Sequence, residues 1–79
     1  MDNNIPLKVL FKNWCARQGY TPVRAVYVEH NPGHAALNVR HGWWTVSVYS
    51  RYDEEMGVLH LDHPIKGVTE EQARTFLTS

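Results

Sequence analysis

The sequence predicts an α+β domain in the order helix, four-stranded antiparallel meander sheet, helix, with both helices packed on one face of the sheet. Three observations carry this. Trp43 to Arg51 alternates strictly through a stretch rich in β-branched and aromatic residues, the sign of a strand with two unlike faces. His41-Gly42 can close a two-residue hairpin that sets Val39 opposite Trp44, Leu37 opposite Val46 and Ala35 opposite Val48, so that three apolar pairs share a face. A slip of one residue would mix the faces, which ties the turn to the pattern. Finally, each end of the chain carries an apolar stripe at helical spacing.

The first helix is expected over Ile5 to Gln18, capped by Asn3 or Asn4, with Pro6 in its first turn and Gly19 ending it. Leu7, Leu10, Phe11 and Trp14 form its buried stripe, Cys15 flanks the stripe, and Lys8, Lys12, Asn13 and Arg17 lie away from it. Tyr20, Thr21 and Pro22 turn the chain into a strand from Val23 to His30, chosen on composition. Asn31-Pro32-Gly33 is a turn by residue chemistry, because Pro fixes φ and Gly accepts a positive φ. His34 to Arg40 is the second strand and Trp43 to Arg51 the third. Tyr52-Asp53-Glu54-Glu55 reads as a loop that pairs Arg51 with Met56 and places Leu59 beside Val48 and Leu61 beside Val46. Pro64 is expected to stop the fourth strand. Thr69 and Gln72 have the spacing of a capping box for a last helix with Ala73, Phe76 and Leu77 inward.

At 79 residues without a repeat or linker, the chain reads as one domain. Eight Lys and Arg balance eight Asp and Glu, which removes both the strongly basic nucleic-acid binder and the acidic DNA mimic as simple readings. The single Cys15 cannot close an internal disulfide, so a reducing, cytoplasmic setting is expected. No run is long and apolar enough to suggest a membrane span, and the N-terminus lacks the order of a signal peptide.

Five histidines, His30, His34, His41, His60 and His63, raise the question of a metal. On a strand, however, His60 and Asp62 point to one side and His63 to the other, so their run does not converge, and neither a metal nor another cofactor is expected. Cys15 sits in an amphipathic helix without the signature of a thiol enzyme and reads as a core thiol. Paired catalytic carboxylates, a glycine-rich phosphate loop and a nucleophile elbow are all missing from the sequence, so an enzyme is not expected.

Leu10-Phe11-Lys12-Asn13-Trp14-Cys15, followed by Gly19-Tyr20-Thr21-Pro22, strands, and Gly67-Val68-Thr69 opening a last helix, resembles the outline of a double-stranded-RNA-binding domain over most of the chain. The resemblance is one of topology. That family grips phosphates with lysines at the start of its last helix, where this chain has Glu70-Glu71-Gln72-Ala73-Arg74, and an extra strand and a shorter final helix are also expected here. No RNA-binding residue is carried over.

The sheet face away from the helices is expected to be open. There Arg40 would face Trp43, Asn38 face Thr45, Ser47 face His60, Thr45 face Asp62 and His34 face Tyr49, with Val58 also neighbouring Tyr49. Trp, Tyr and Arg dominate protein-binding hot spots, so Trp43, Tyr49, Arg40, Arg51, His60 and Asp62 are the candidate binding residues. The bland alternative is that Trp43 and Tyr49 are cross-strand staples. The expected function is a non-enzymatic protein-binding module that masks a partner surface. A short chain opening on Met1 fits the format of small accessory or inhibitory proteins of phages and mobile elements. The alternatives are a single-stranded nucleic-acid or RNA binder that stacks bases on Trp43 and Tyr49, and a self-associating structural protein such as a homodimer.

Overall fold

A computed structural model describes residues 5–79; the expected cap at Asn3 or Asn4 lies outside them. Helix α1 runs Leu7–Gln18, strand β1 Thr21–Val23, a 3-10 turn Val26–Val28, strand β2 His34–Arg40, strand β3 Trp43–Asp53, strand β4 Val58–Val68 and helix α2 Glu70–Thr78. The sheet is four-stranded in the order β1-β2-β3-β4, with β1 parallel to β2 and the other pairs antiparallel. No helix among the described residues is long and apolar enough to cross a membrane.

α1 starts two residues later than expected, with Pro6 at its N-cap. It ends at Gly19, whose φ of 83° lets its N–H and that of Tyr20 both turn back to the Cys15 carbonyl, at 2.8 and 2.9 Å. The capping box of α2 is formed: Gln72 N–H donates to Thr69 Oγ1 at 3.3 Å and Thr69 N–H to Gln72 Oε1 at 3.0 Å. One core cluster joins Leu7, Leu10, Phe11, Trp14 and Cys15 of α1 and Ala73 and Leu77 of α2 to Ala35, Val46, Val48 and Ile65 of the sheet. Trp14 is its hinge, with Phe11, Tyr20 and Phe76 rings at 6.3, 5.6 and 5.6 Å. Two arginines tie the helices across the chain: Arg74 donates to the Ile5 carbonyl and Arg17 to the Leu77 carbonyl.

The expected strand from Val23 to His30 does not form, and the sheet is not a simple meander. β1 is only Thr21–Val23, and it pairs in parallel with His34–Ala36. Two parallel neighbours require the chain to cross over between them, and residues 24–33 make that crossing over the side of the sheet opposite the first cluster. Val26, on the 3-10 turn, packs there with Ala36 and Tyr49, and Val23, Tyr52, Leu59 and Leu61 close around them. Adjacent strand residues point to opposite faces, so the neighbours Ala35 and Ala36, both fully buried, belong to different clusters. Burial of Val26 overrides the β propensity of its segment.

The β2–β3 register is the expected one from His34↔Tyr49 to Arg40↔Trp43. The β3–β4 register is not: Arg51 pairs with His60 instead of Met56, Leu59 lies beside Tyr52, and Leu61 lies beside Tyr49. The cause is local turn chemistry. Asp53 Oδ1 accepts the N–H groups of Glu55 and Met56 at 3.1 and 3.2 Å, and Gly57 takes a φ of 66°, which moves the turn beyond Tyr52 and Asp53. Leu59 and Leu61 therefore enter the second cluster and not the first. Pro64 does not stop β4 either. It lies where Val46 and Val48 pair with Ile65 and Asp62, a register irregularity on an edge strand, where a missing N–H costs no ladder bond.

Candidate functional site

The six candidate residues do not assemble into one surface. Arg40 and Trp43 are directly paired, flanking His41-Gly42. That dipeptide adopts φ of 53° and 81°, the doubly positive conformation that a two-residue hairpin needs to match the twist of its strands. The turn thus holds a rigid tip on which Asn38, Val39, Arg40 and Trp43 are all exposed, Trp43 at 54%. Thr45, two residues into β3 from Trp43, is half-buried, and its Oγ1 accepts the Gly67 N–H at 3.4 Å.

Tyr49, expected on the open face, is instead buried. Only 1% of it is exposed, and its hydroxyl donates to the His30 carbonyl at 3.0 Å, fastening the crossover to the sheet. Desolvation, followed by the neighbouring Tyr52 and Glu54, pushes its phenol above the ordinary value, so it stays a neutral donor. His30 adds a stacked contact on Tyr52, with ring centroids 4.5 Å apart. The face expected to be open is therefore covered over this half by the crossover, while Arg40 and Trp43 stay exposed at the hairpin tip.

Arg51 and His60 are paired with each other near the other end of β3, about 25 Å from Trp43 at the rise of an extended strand. His60 does not oppose Ser47, nor Asp62 Thr45; Asp62 pairs with Val48 and is exposed. His60 Nε2 is buried without a hydrogen-bond partner among the described residues. Among those residues, no group of three His, Cys, Asp or Glu side chains could hold a metal ion. Cys15 is fully buried, and burial pushes its thiol up to about 11, which keeps it protonated and packed in the core.

One feature escaped the sequence. Between α1 and the β1–β2 edge lies a groove of about 300 Å³ with Phe11, Pro22, Val23 and Leu37 as its apolar walls and Lys8, Lys12 and Arg24 as its charged ones. The only signal was the i,i+4 spacing of Lys8 and Lys12, which reads equally well as a solvated helix face; Arg24 joins them because β1 is parallel and short. No protein-family model, curated protein or solved structure matches the chain.

Proposed function

We propose that the chain is a non-enzymatic protein-binding module of the small accessory or inhibitory kind, which masks a partner surface with the tip of its β2–β3 hairpin. The observation that carries this reading is Trp43, a large aromatic left 54% exposed beside a tight turn, with exposed Arg40 directly across the strand pair. Trp and Arg are the side chains most enriched in binding hot spots, and a rigid strand pair presents them with little ordering cost on binding. In this reading both helices back one face of the sheet, the crossover backs half of the other, and the tip is the part left for a partner. A lone thiol in the core suits a reducing cytoplasm. Stacking of single-stranded bases on two rings is disfavoured, because Tyr49 is under the crossover.

The test is affinity capture from lysate with mass spectrometry, with and without nuclease, using wild type, Trp43→Ala and Arg40→Ala. The expected result is a protein partner that resists nuclease and whose affinity falls by more than about 2 kcal/mol, roughly thirtyfold, in Trp43→Ala. An undiminished set of captured proteins in both variants would remove the hairpin tip as the site. A sedimentation coefficient that falls on dilution and is restored to the monomer value by Trp43→Ala would make the partner a second copy.

A further inference from the structure

We propose that the groove between α1 and the β1–β2 edge is a second binding site, which takes an acidic segment of a partner protein bearing an apolar side chain. This goes beyond the hairpin tip and does not depend on it. The charged groups lining the groove are Lys8, Lys12 and Arg24, all cations and all exposed. Among the described residues none of the three has an ion-pair partner, whereas Arg74 pairs with Glu70 one turn away on α2. The chain as a whole is neutral, so three unpaired cations around one depression are not the by-product of a basic composition. Lys8 and Lys12 stand one helical turn apart, where like charges repel, and carboxylates placed between them relieve that repulsion.

The apolar walls decide what kind of anion fits. Phe11 is buried, with its ring engaged on Trp14, so it offers no free face for a base to stack on. Pro22, Val23 and Leu37 complete a surface that gains from covering by an apolar side chain and gains nothing from a phosphate backbone. An apolar anchor flanked by carboxylates satisfies walls and rim together. The mode of docking is also constrained. Thr21 N–H donates inward to the Gly33 carbonyl at 2.7 Å, so the next amide position along β1 faces outward, and there Pro22 has no N–H to offer. The occupant therefore docks through its side chains and does not add a strand to the sheet.

The experiment is selection of a random peptide display library on the full chain, followed by fluorescence anisotropy of the enriched peptides on wild type, the double variant Lys12→Glu/Arg24→Glu, and Trp43→Ala. Enriched peptides should carry Asp or Glu around Leu, Met or Phe. Their affinity should fall at least about tenfold in the double variant, fall with added salt, and be unchanged in Trp43→Ala. The exposed positions chosen should leave the melting curve intact; if it shifts, Lys12→Gln/Arg24→Gln is read in its place. Failure to enrich acidic peptides, or equal binding by the double variant, overturns the proposal. So does saturable binding of a random single-stranded oligonucleotide that the double variant loses while no peptide enriches. Dilution-dependent sedimentation abolished by the double variant would instead assign the groove to a second copy, through its exposed Glu54, Glu55 and Met56.

Discussion

Val26 and Val28 occupy the same 3-10 turn, yet one is 2% exposed and the other 67%. On an extended strand, residues two apart share a face, and Val→Ala at either position would cost about the same. On a 3-10 turn of three residues they point apart. Val26→Ala removes the two methyl groups that cover Ala36 and Tyr49, worth about 0.8 kcal/mol each by transfer, and leaves a cavity that raises the total to about 1.5 to 3 kcal/mol. For a domain of 79 residues, whose whole stability is about 4 to 12 kcal/mol, that is a fall in Tm of at least about 6 °C. Val28→Ala should stay within about 0.5 kcal/mol of wild type. Thermal melts are the first assay and amide exchange the second, because the crossover can open without global unfolding. The Glu29 N–H, bonded to the Val26 carbonyl at 2.9 Å, should exchange faster in Val26→Ala and normally in Val28→Ala. If neither melt nor exchange separates the two variants, the crossover does not cover the sheet, and Tyr49 returns to an open face.

Other consequences are as direct. Because burial raises the Cys15 thiol from 9.0 to about 11, the folded chain holds a proton that the unfolded chain loses; this contribution to stability is complete below pH 9 and lost as pH rises toward 11. Urea unfolding of wild type should therefore weaken relative to Cys15→Ala across that window, and parallel curves would refute a buried thiol. His41 is the one non-glycine residue with positive φ among those described, and His41→Asn should raise stability by up to about 1 kcal/mol, since Asn-Gly suits this turn better. Thr69→Ala removes the side-chain half of the α2 capping box and should cost about 0.5 to 2 kcal/mol by denaturant titration. Trp43→Ala should melt within a few degrees of wild type, and a loss as large as that of Trp44→Ala would place Trp43 in the core.

Where turn chemistry and hydrophobic pattern agree, the structure follows the sequence: the His41-Gly42 hairpin has its expected register, α1 its expected stripe and α2 its expected cap. The departures occur where two local signals compete. Tyr52 to Glu55 is polar enough for a loop, but Asp53 and Gly57 together hold a better one slightly later, and everything on β4 moves with it. Pro64 reads as a strand terminator only if the strand is central and regular, and β4 is neither. Val23 to His30 has strand composition, but a parallel β1 leaves this stretch to span the sheet, a choice set by tertiary packing around Val26. Of the proposed site, Arg40 and Trp43 were legible because they depend on the hairpin alone. The burial of Tyr49 was not, since it depends on the crossover.

The bonds from Arg17 to Leu77 and from Arg74 to Ile5 span 60 and 69 residues of sequence. Together with the contact of Trp14 on Phe76, they make the first described helix dependent on the last for its cover. Contacts so distant in sequence form late, after the entropy of a long loop has been overcome, which places folding toward the slow side for a chain of this size. During synthesis the stripe of Leu10, Phe11 and Trp14 emerges before the sheet residues that cover part of it, and its cover is completed only when α2 leaves the ribosome. A chain that ends before Ala73 and Leu77 leaves part of that stripe exposed and is prone to aggregate.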